Sequence, residues 1–315
     1  MQHRGLGVVS KLLVVSCLGS VPIFADGICA PHSLSGEAVA QLLDSATTFC
    51  VGASGYSNEW YSKNPAVNTN LFNLLGDSAQ FLTYHTVEGD ITRSQWLSPE
   101  VAGVLTGTSF AVSAALSVVS NVANSAISDT HVAVAITSRM ISNNIKQTFT
   151  VTNIQPGTTI DWIELVTYLQ YFPYGQANPN KGLLSHEPVP TTEDTYVQGL
   201  WAHETFGPGL VREGGVCGGV GAATCTLPDH FMIGTPAGVR SAVVLTATNP
   251  LSDTLSSLDM TAASAAGALS WRVNDLHLTL GGSQSFTVEL VPEPATVTLF
   301  LIAAAGFLIR RRYAA

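Results

Sequence analysis

The chain has 315 residues, 46% of them apolar and only 11% charged, and its 22 acidic against 13 basic side chains give a net charge of −9. That length accommodates one large domain or two modest ones. So few charges exclude a highly charged disordered chain, and the acidic balance excludes a nucleic-acid binder, which needs Lys and Arg to neutralise phosphates. Arg4, Lys11, Arg310, Arg311 and Arg312 all lie near the termini, so residues 26–294 keep eight bases against all 22 acids, a net charge of −14. A body of that charge is repelled by DNA and by anionic lipid.

The first element is an export signal. Arg4 and Lys11 precede an apolar stretch from Leu12 to Phe24, and Ala25 supplies a small residue before Asp26. This order predicts a signal peptide over residues 1–25, removed by signal peptidase, although Ile23 stands where a small residue is usual. Val14-Val15-Ser16-Cys17 also resembles a lipobox, but only five residues separate Lys11 from Cys17, too few for a good apolar core.

From residue 26 to 290 the dominant pattern is period-two alternation, the signature of strands with one buried face. Helical spacing of Ala38, Val39, Leu42, Leu43 and Ala46 predicts a helix over 37–47, and Ser98-Pro99-Glu100 predicts a short helix to about Leu105. Phe110, Val112, Ala114, Leu116 and Val118 fall on one face of a strand, while 121–126 fits either period poorly and could continue a helix from Ala111. Val132, Val134 and Ile136 mark the next strand, then Phe149 and Val151 between threonines. Residues 160–172 are rich in β-branched and aromatic side chains and stop at Pro173. Glycine, proline and threonine make 178–193 and 213–228 long loops. Residues 243–248 read as a strand stopped by Asn249-Pro250. Leu276, Leu278 and Leu280, then Gly281-Gly282, then Phe286, Val288 and Leu290 predict a closing hairpin. Asn153 and Asn249 each end such a run, where asparagine favours a turn. The fold expected is mainly β: an antiparallel β-sandwich, immunoglobulin-like or jelly-roll-like, with one or two short helices.

Besides Cys17, the cysteines are Cys29, Cys50, Cys217 and Cys225. Four cysteines allow three pairings, and export makes disulfides the default. Proximity favours Cys29–Cys50 and Cys217–Cys225. No Cys-x-x-Cys occurs, and neither a metal nor a cofactor is expected.

Candidate chemistry is sparse. Glu187, His203, Glu204 and His230 could supply an acid/base pair to an extracellular hydrolase. Neither His186-Glu187 nor His203-Glu204 forms His-Glu-x-x-His, and Gly-x-Ser-x-Gly, Walker A and Asp-x-Asp-x-Asp motifs are absent from the sequence. Trp162, Tyr168, Tyr171 and Tyr174 could instead present aromatic faces to a sugar, although alternate members of a strand must point inward.

The last element is the most specific. Val291-Pro292-Glu293-Pro294 precedes an apolar run of fifteen residues, 295–309, and then Arg310-Arg311-Arg312. The prolines hold the motif extended, so a transmembrane helix begins only at about Ala295. Fifteen residues span roughly 22 Å, short of the ~30 Å hydrocarbon core, and arginine side chains can snorkel across part of the difference. The arginines anchor the cytoplasmic side of the inner membrane and leave the body outside. These pieces resemble the PEP-CTERM sorting signal of Gram-negative bacteria. The resemblance implies that 291–315 is a sorting segment with Pro292, Glu293 and Pro294 as its recognition element. It also implies handling by an exosortase, a membrane protease, and export alongside exopolysaccharide. The body is then expected to be a structural or adhesive cell-surface or matrix protein rather than an enzyme, with a carbohydrate-binding module or a hydrolase as alternatives.

Overall fold

Runs of alternating residues place one side chain in the core and the next outside, and the strands they form make the middle of this molecule. The computed structural model describes residues 29, 31–32, 34–43, 47–64, 68–141, 144–172, 183–185, 199–206, 210–222, 225–253 and 265–291. Within them the chain is mainly β. Its strands are β1 (Val39–Leu43), β2 (Thr47–Gly52), β3 (Glu59–Asn64), β4 (Asn68–Asn73), β5 (Leu75–Thr86), β6 (Ile91–Trp96), β7 (Ala111–Val119), β8 (Val122–Ser128) and β9 (Val132–Ile141). There follow β10 (Asn144–Asn153), β11 (Ile160–Tyr171), β12 (Leu183–Ser185), β13 (Gly199–Phe206), β14 (Leu210–Val220), β15 (His230–Gly234), β16 (Ala266–Val273) and β17 (Ser283–Val291), with one α-helix, α1 (Pro236–Val244), between β15 and β16. They form three sheets, β1-β2-β3-β4, β12-β13-β14-β17-β10-β9-β8-β7 and β15-β16-β11-β5-β6, and adjacent strands run antiparallel throughout.

One apolar core joins the sheets. Phe149 on β10 faces Ile136 on β9 and Phe286 on β17. These three pack with Leu82, Leu165, Leu269 and Trp271 of the five-stranded sheet and with Phe49 and Trp60 of the N-terminal one. The strand count exceeds the about seven to nine of an immunoglobulin domain. Strand β11 is buried on both faces. Ile163, Leu165 and Leu169 enter the shared core, whereas Val166 and Tyr168 enter a second cluster with Phe81, Trp96 and helix residues Val239 and Val243. A strand covered on both sides reads as an unbroken apolar run, which is why 160–172 shows little alternation.

Cysteine pairing follows proximity: Cys29 is bonded to Cys50 and Cys217 to Cys225. Glu37 ties the N-terminal segment down, bonding His32 Nδ1 at 2.9 Å and accepting the Ser54 N–H at 2.6 Å.

Several local expectations yield to longer-range pairing. Residues 39–43 and 47–52 are strands β1 and β2, not a helix over 37–47, because Val39 to Leu43 pair with Gly52 to Thr48. The helix expected after Ser98 shrinks to a single 3₁₀ turn, Val101–Gly103, with the Ser98 hydroxyl accepting the Glu100 N–H at 3.2 Å. Residues 122–128 are strand β8 rather than helix. The face predicted for 110–118 is broken, because β7 is a sheet edge with register shifts near Val112 and Ala114. Such bulges re-aim side chains; Val112 and Val118 are exposed while Phe110 is buried. The loop expected at 213–228 begins inside β14.

The strand expected at 243–248 is the end of α1 and the turns after it. Thr235 caps that helix, its hydroxyl accepting the Gly238 N–H, with Pro236 in the first turn. The closing hairpin does not form either. Gly281, at φ +81°, and Gly282 make the turn, but Leu278 contributes only an isolated bridge to Ile160. Strand β17 pairs instead with β10 and β14. Asn153 does terminate β10 as expected: its side chain donates to the Thr158 and Leu278 carbonyls and accepts the Gln155 N–H.

Candidate functional site

Rows of side chains cross the outer face of the five-stranded sheet, and their polarity changes along the strands. Ala79, Tyr168, Ala268 and Met232 make one row, and Trp96, Phe81, Val166, Ser270 and His230 the next. Helix α1 covers the apolar part of these rows. Ser94, Thr83, Glu164 and Arg272 form the following row, and beyond it lie Thr92, His85 and Trp162. Where the cover ends, an open cleft of about 300 Å³ remains. The sheet residues Glu164, His230 and Arg272 line it together with Asp229 and Asn274, which flank strands β15 and β16, opposite Thr246, Ala247, Thr248 and Pro250 from the turns after α1.

Each polar group in this cleft is held. The His230 ring bonds Asp253 through Nδ1 at 2.8 Å, and the same carboxylate accepts the Phe231 N–H at 3.0 Å. Asp253 sits in the left-handed region at φ +50°, a conformation that Asp adopts more readily than most residues. Asp229 accepts the backbone N–H of Arg272 at 2.5 Å and donates its own N–H to Ser270. Arg272 donates from Nε to Asn274 Oδ1 at 2.9 Å, and its guanidinium lies 3.7 Å from the centre of the Trp162 ring. On the other side of Trp162, the His85 ring is parallel to the indole within 2°, and Asp161 and Asp90 hold it at 2.7 and 3.0 Å. Bonding to Asp161, and secondarily to Asp90, raises the His85 pKa above its ordinary range.

Glu164 is the buried carboxyl of the cleft, only 4% exposed. Burial pushes its pKa up, while the Ser270 hydroxyl and the Arg272 guanidinium pull it partway back. The folded protein thus binds this proton more tightly than the unfolded chain does. Ionising Glu164 therefore costs stability; the cost is absent below the ordinary carboxyl range and complete above the raised pKa. Glu164→Gln is expected to melt at a higher temperature than the natural protein at about pH 7.5 and at the same temperature near pH 4, measured by thermal denaturation at both.

Of the four aromatics that could present faces to a sugar, two are buried. Tyr168 and Tyr171 are interior, at 0% and 2% exposure, and the Tyr168 hydroxyl accepts from Arg240 at 3.1 Å. Trp162 is half-buried, with its ring occupied by Arg272 and His85. Tyr174, Glu187, Pro292, Glu293, Pro294 and Arg310 to Arg312 lie outside the described residues. The backbone places His203 and Glu204 on β13, opposite Glu213 and Arg212 in the eight-stranded sheet, whereas His230 is in the five-stranded sheet. The partners His230 meets in the cleft are Glu164 and Arg272, which the sequence reading passed over. Their signal was present, a charged residue inside an apolar strand run at Ile163-Glu164-Leu165 and again at Trp271-Arg272-Val273.

Cys29, Cys50 and Glu59 come close enough to resemble a metal-binding group, but both sulfurs are committed to a disulfide. No described helix is long and apolar enough to cross a membrane, and the run 295–309 lies outside the described residues.

No protein-family profile matches the chain, and no curated protein sequence does so. Among solved structures, a galactose mutarotase related enzyme from Lactobacillus acidophilus is similar at a TM-score of 0.39 and 8% sequence identity, over 82% of this chain and 98% of that one.

Proposed function

We propose that this chain is an exported structural or adhesive protein of the cell surface or extracellular matrix, associated with exopolysaccharide and handled by an exosortase-type membrane protease. Its body is a sandwich of large antiparallel sheets and acts by binding rather than by catalysis. The signal over residues 1–25 supports entry to the export route, with signal peptidase and then the inner membrane as transient partners. The two disulfides suit the oxidising compartment beyond that membrane.

The observation that carries the reading is the position of Pro292-Glu293-Pro294. The motif begins directly after Val291, the last residue of β17, and β17 is an inner strand of the largest sheet. A cut in the motif therefore leaves every described strand in place. The apolar run and Arg310 to Arg312 supply the temporary anchor.

The test is expression in an exosortase-bearing host of the natural chain, of a chain ending at Val291, and of Glu293→Ala. The natural chain is expected at the surface or in the medium with a mass lacking 295–315, and both variants are expected to lose that placement. Unaltered surface display or release of the chain ending at Val291 overturns the reading, as does a mature mass that retains the tail.

A further inference from the structure

We infer that the cleft between the five-stranded sheet and the turns after α1 is a binding site for a neutral sugar ring. It rests on the exopolysaccharide reading above only for the source of the sugar. The cleft's 300 Å³ lies at the small end of the range for ligand pockets, room for about one ring and part of a neighbour. Its chemistry is mixed. Arg272 and Asn274 supply donors, Glu164 supplies acceptors, and the neutral His230 ring, donating Nδ1–H to Asp253, leaves Nε2 as a further acceptor. Adjacent ring hydroxyls donate and accept in the same way, so one hydroxyl pair can meet Arg272 and Glu164, which stand directly opposite each other on β16 and β11. Ala247 and Pro250 give the facing wall an apolar patch for ring C–H groups.

Other ligand classes fit less well. An anion would enter beside Asp229 on a body of net charge −14. A metal cation would need free carboxylates, yet Asp229 is spent on the Arg272 N–H and Asp253 on His230, while burial disfavours charge on Glu164. Arg272 has its Nε bonded to Asn274 and its guanidinium against the Trp162 ring, which reduces the side-chain freedom lost when its terminal nitrogens meet a ligand. The Trp162 ring, one of the aromatics that could have faced a sugar, instead lies against the arginine.

The experiment is saturation-transfer NMR and calorimetry on the full chain in detergent with D-glucose, D-galactose, N-acetyl-D-glucosamine and D-glucuronate as probes. At least one neutral sugar is expected to bind, and D-glucuronate is expected to bind more weakly. Glu164→Gln, Arg272→Lys and Asn274→Ala should each weaken that binding, by about tenfold at Glu164 and Arg272. Val112→Ala on the distant edge strand should leave it unchanged. Thermal melts identify any variant that fails to fold, and the exposed Asn274 then carries the result. No binding of any neutral sugar up to about 50 mM, preference for D-glucuronate, or binding that survives all three substitutions overturns the inference. Failure here leaves the sorting reading standing, because that one is read from the tail variants.

Discussion

Phe149→Ala is expected to cost about 3–5 kcal/mol of unfolding free energy, the range for emptying a fully buried aromatic site. Phe149 is 0% exposed and stands in mid-ladder between Ile136 and Phe286. Its ring is also the floor of the tight turn at Gly55, where φ is +81° and a Cβ would lie 2.8 Å from a ring carbon. That approach is possible only for glycine, and the Gly55 carbonyl is fixed in turn by Gln147 Nε2 at 2.9 Å. Removing the ring thus leaves a void that neither neighbouring strand nor the turn can close without breaking bonds. Chemical denaturation should show a lower midpoint with an unchanged slope; a loss under 1 kcal/mol (about a fivefold change in the folding equilibrium) would mean the core collapses around the site.

Truncation should separate two ends that differ by a single strand. A chain ending at Val291 keeps the melting temperature of the full body. One ending at Gly282 loses β17, and with it the partner of both β10 and β14 over eight and six residue pairs. Phe286, Val288 and Leu290, all 0% exposed, leave the core together. Their burial is worth roughly 1.5–3 kcal/mol each, comparable in sum to the whole net stability of a domain. The shorter chain is therefore expected to show no cooperative transition by circular dichroism. A cooperative melt in it would mean that β14 and β10 can pair directly.

What the sequence revealed was what short-range pattern controls. Strands β9 and β10 alternate cleanly and formed where expected, and β11 was recognised by its β-branched and aromatic content. The two disulfides followed from spacing alone. The 37–47 segment was ambiguous because its apolar residues satisfy a helical period and a strand period alike, and pairing with β2 decided the outcome. Helix α1 was missed although Thr235-Pro236 carries the cap and first-turn signature that was read at Ser98-Pro99, because the apolar stretch 243–248 looked more like a strand. The glycine turn at 281–282 was right, yet the strand before it lost its partner to β10, more than 130 residues away. The cleft was illegible for a related reason: Glu164 and Arg272 are separated by more than 100 residues and meet only through the register of β11 with β16.

The inner position of β17 also governs when this protein can fold. It is the last of the described strands in chain order, yet it fills the gap between β14 and β10. Until it arrives, both neighbours offer bare backbone edges, the kind that recruit foreign strands. Assembly must then wait for the last described strand and for its distant pairing with β10, which makes it slow and leaves the emerging chain exposed to association with its own copies. Holding factors that shield the nascent chain, and a low concentration of unfinished molecules, should therefore matter more to its yield than the stability of the finished sheet.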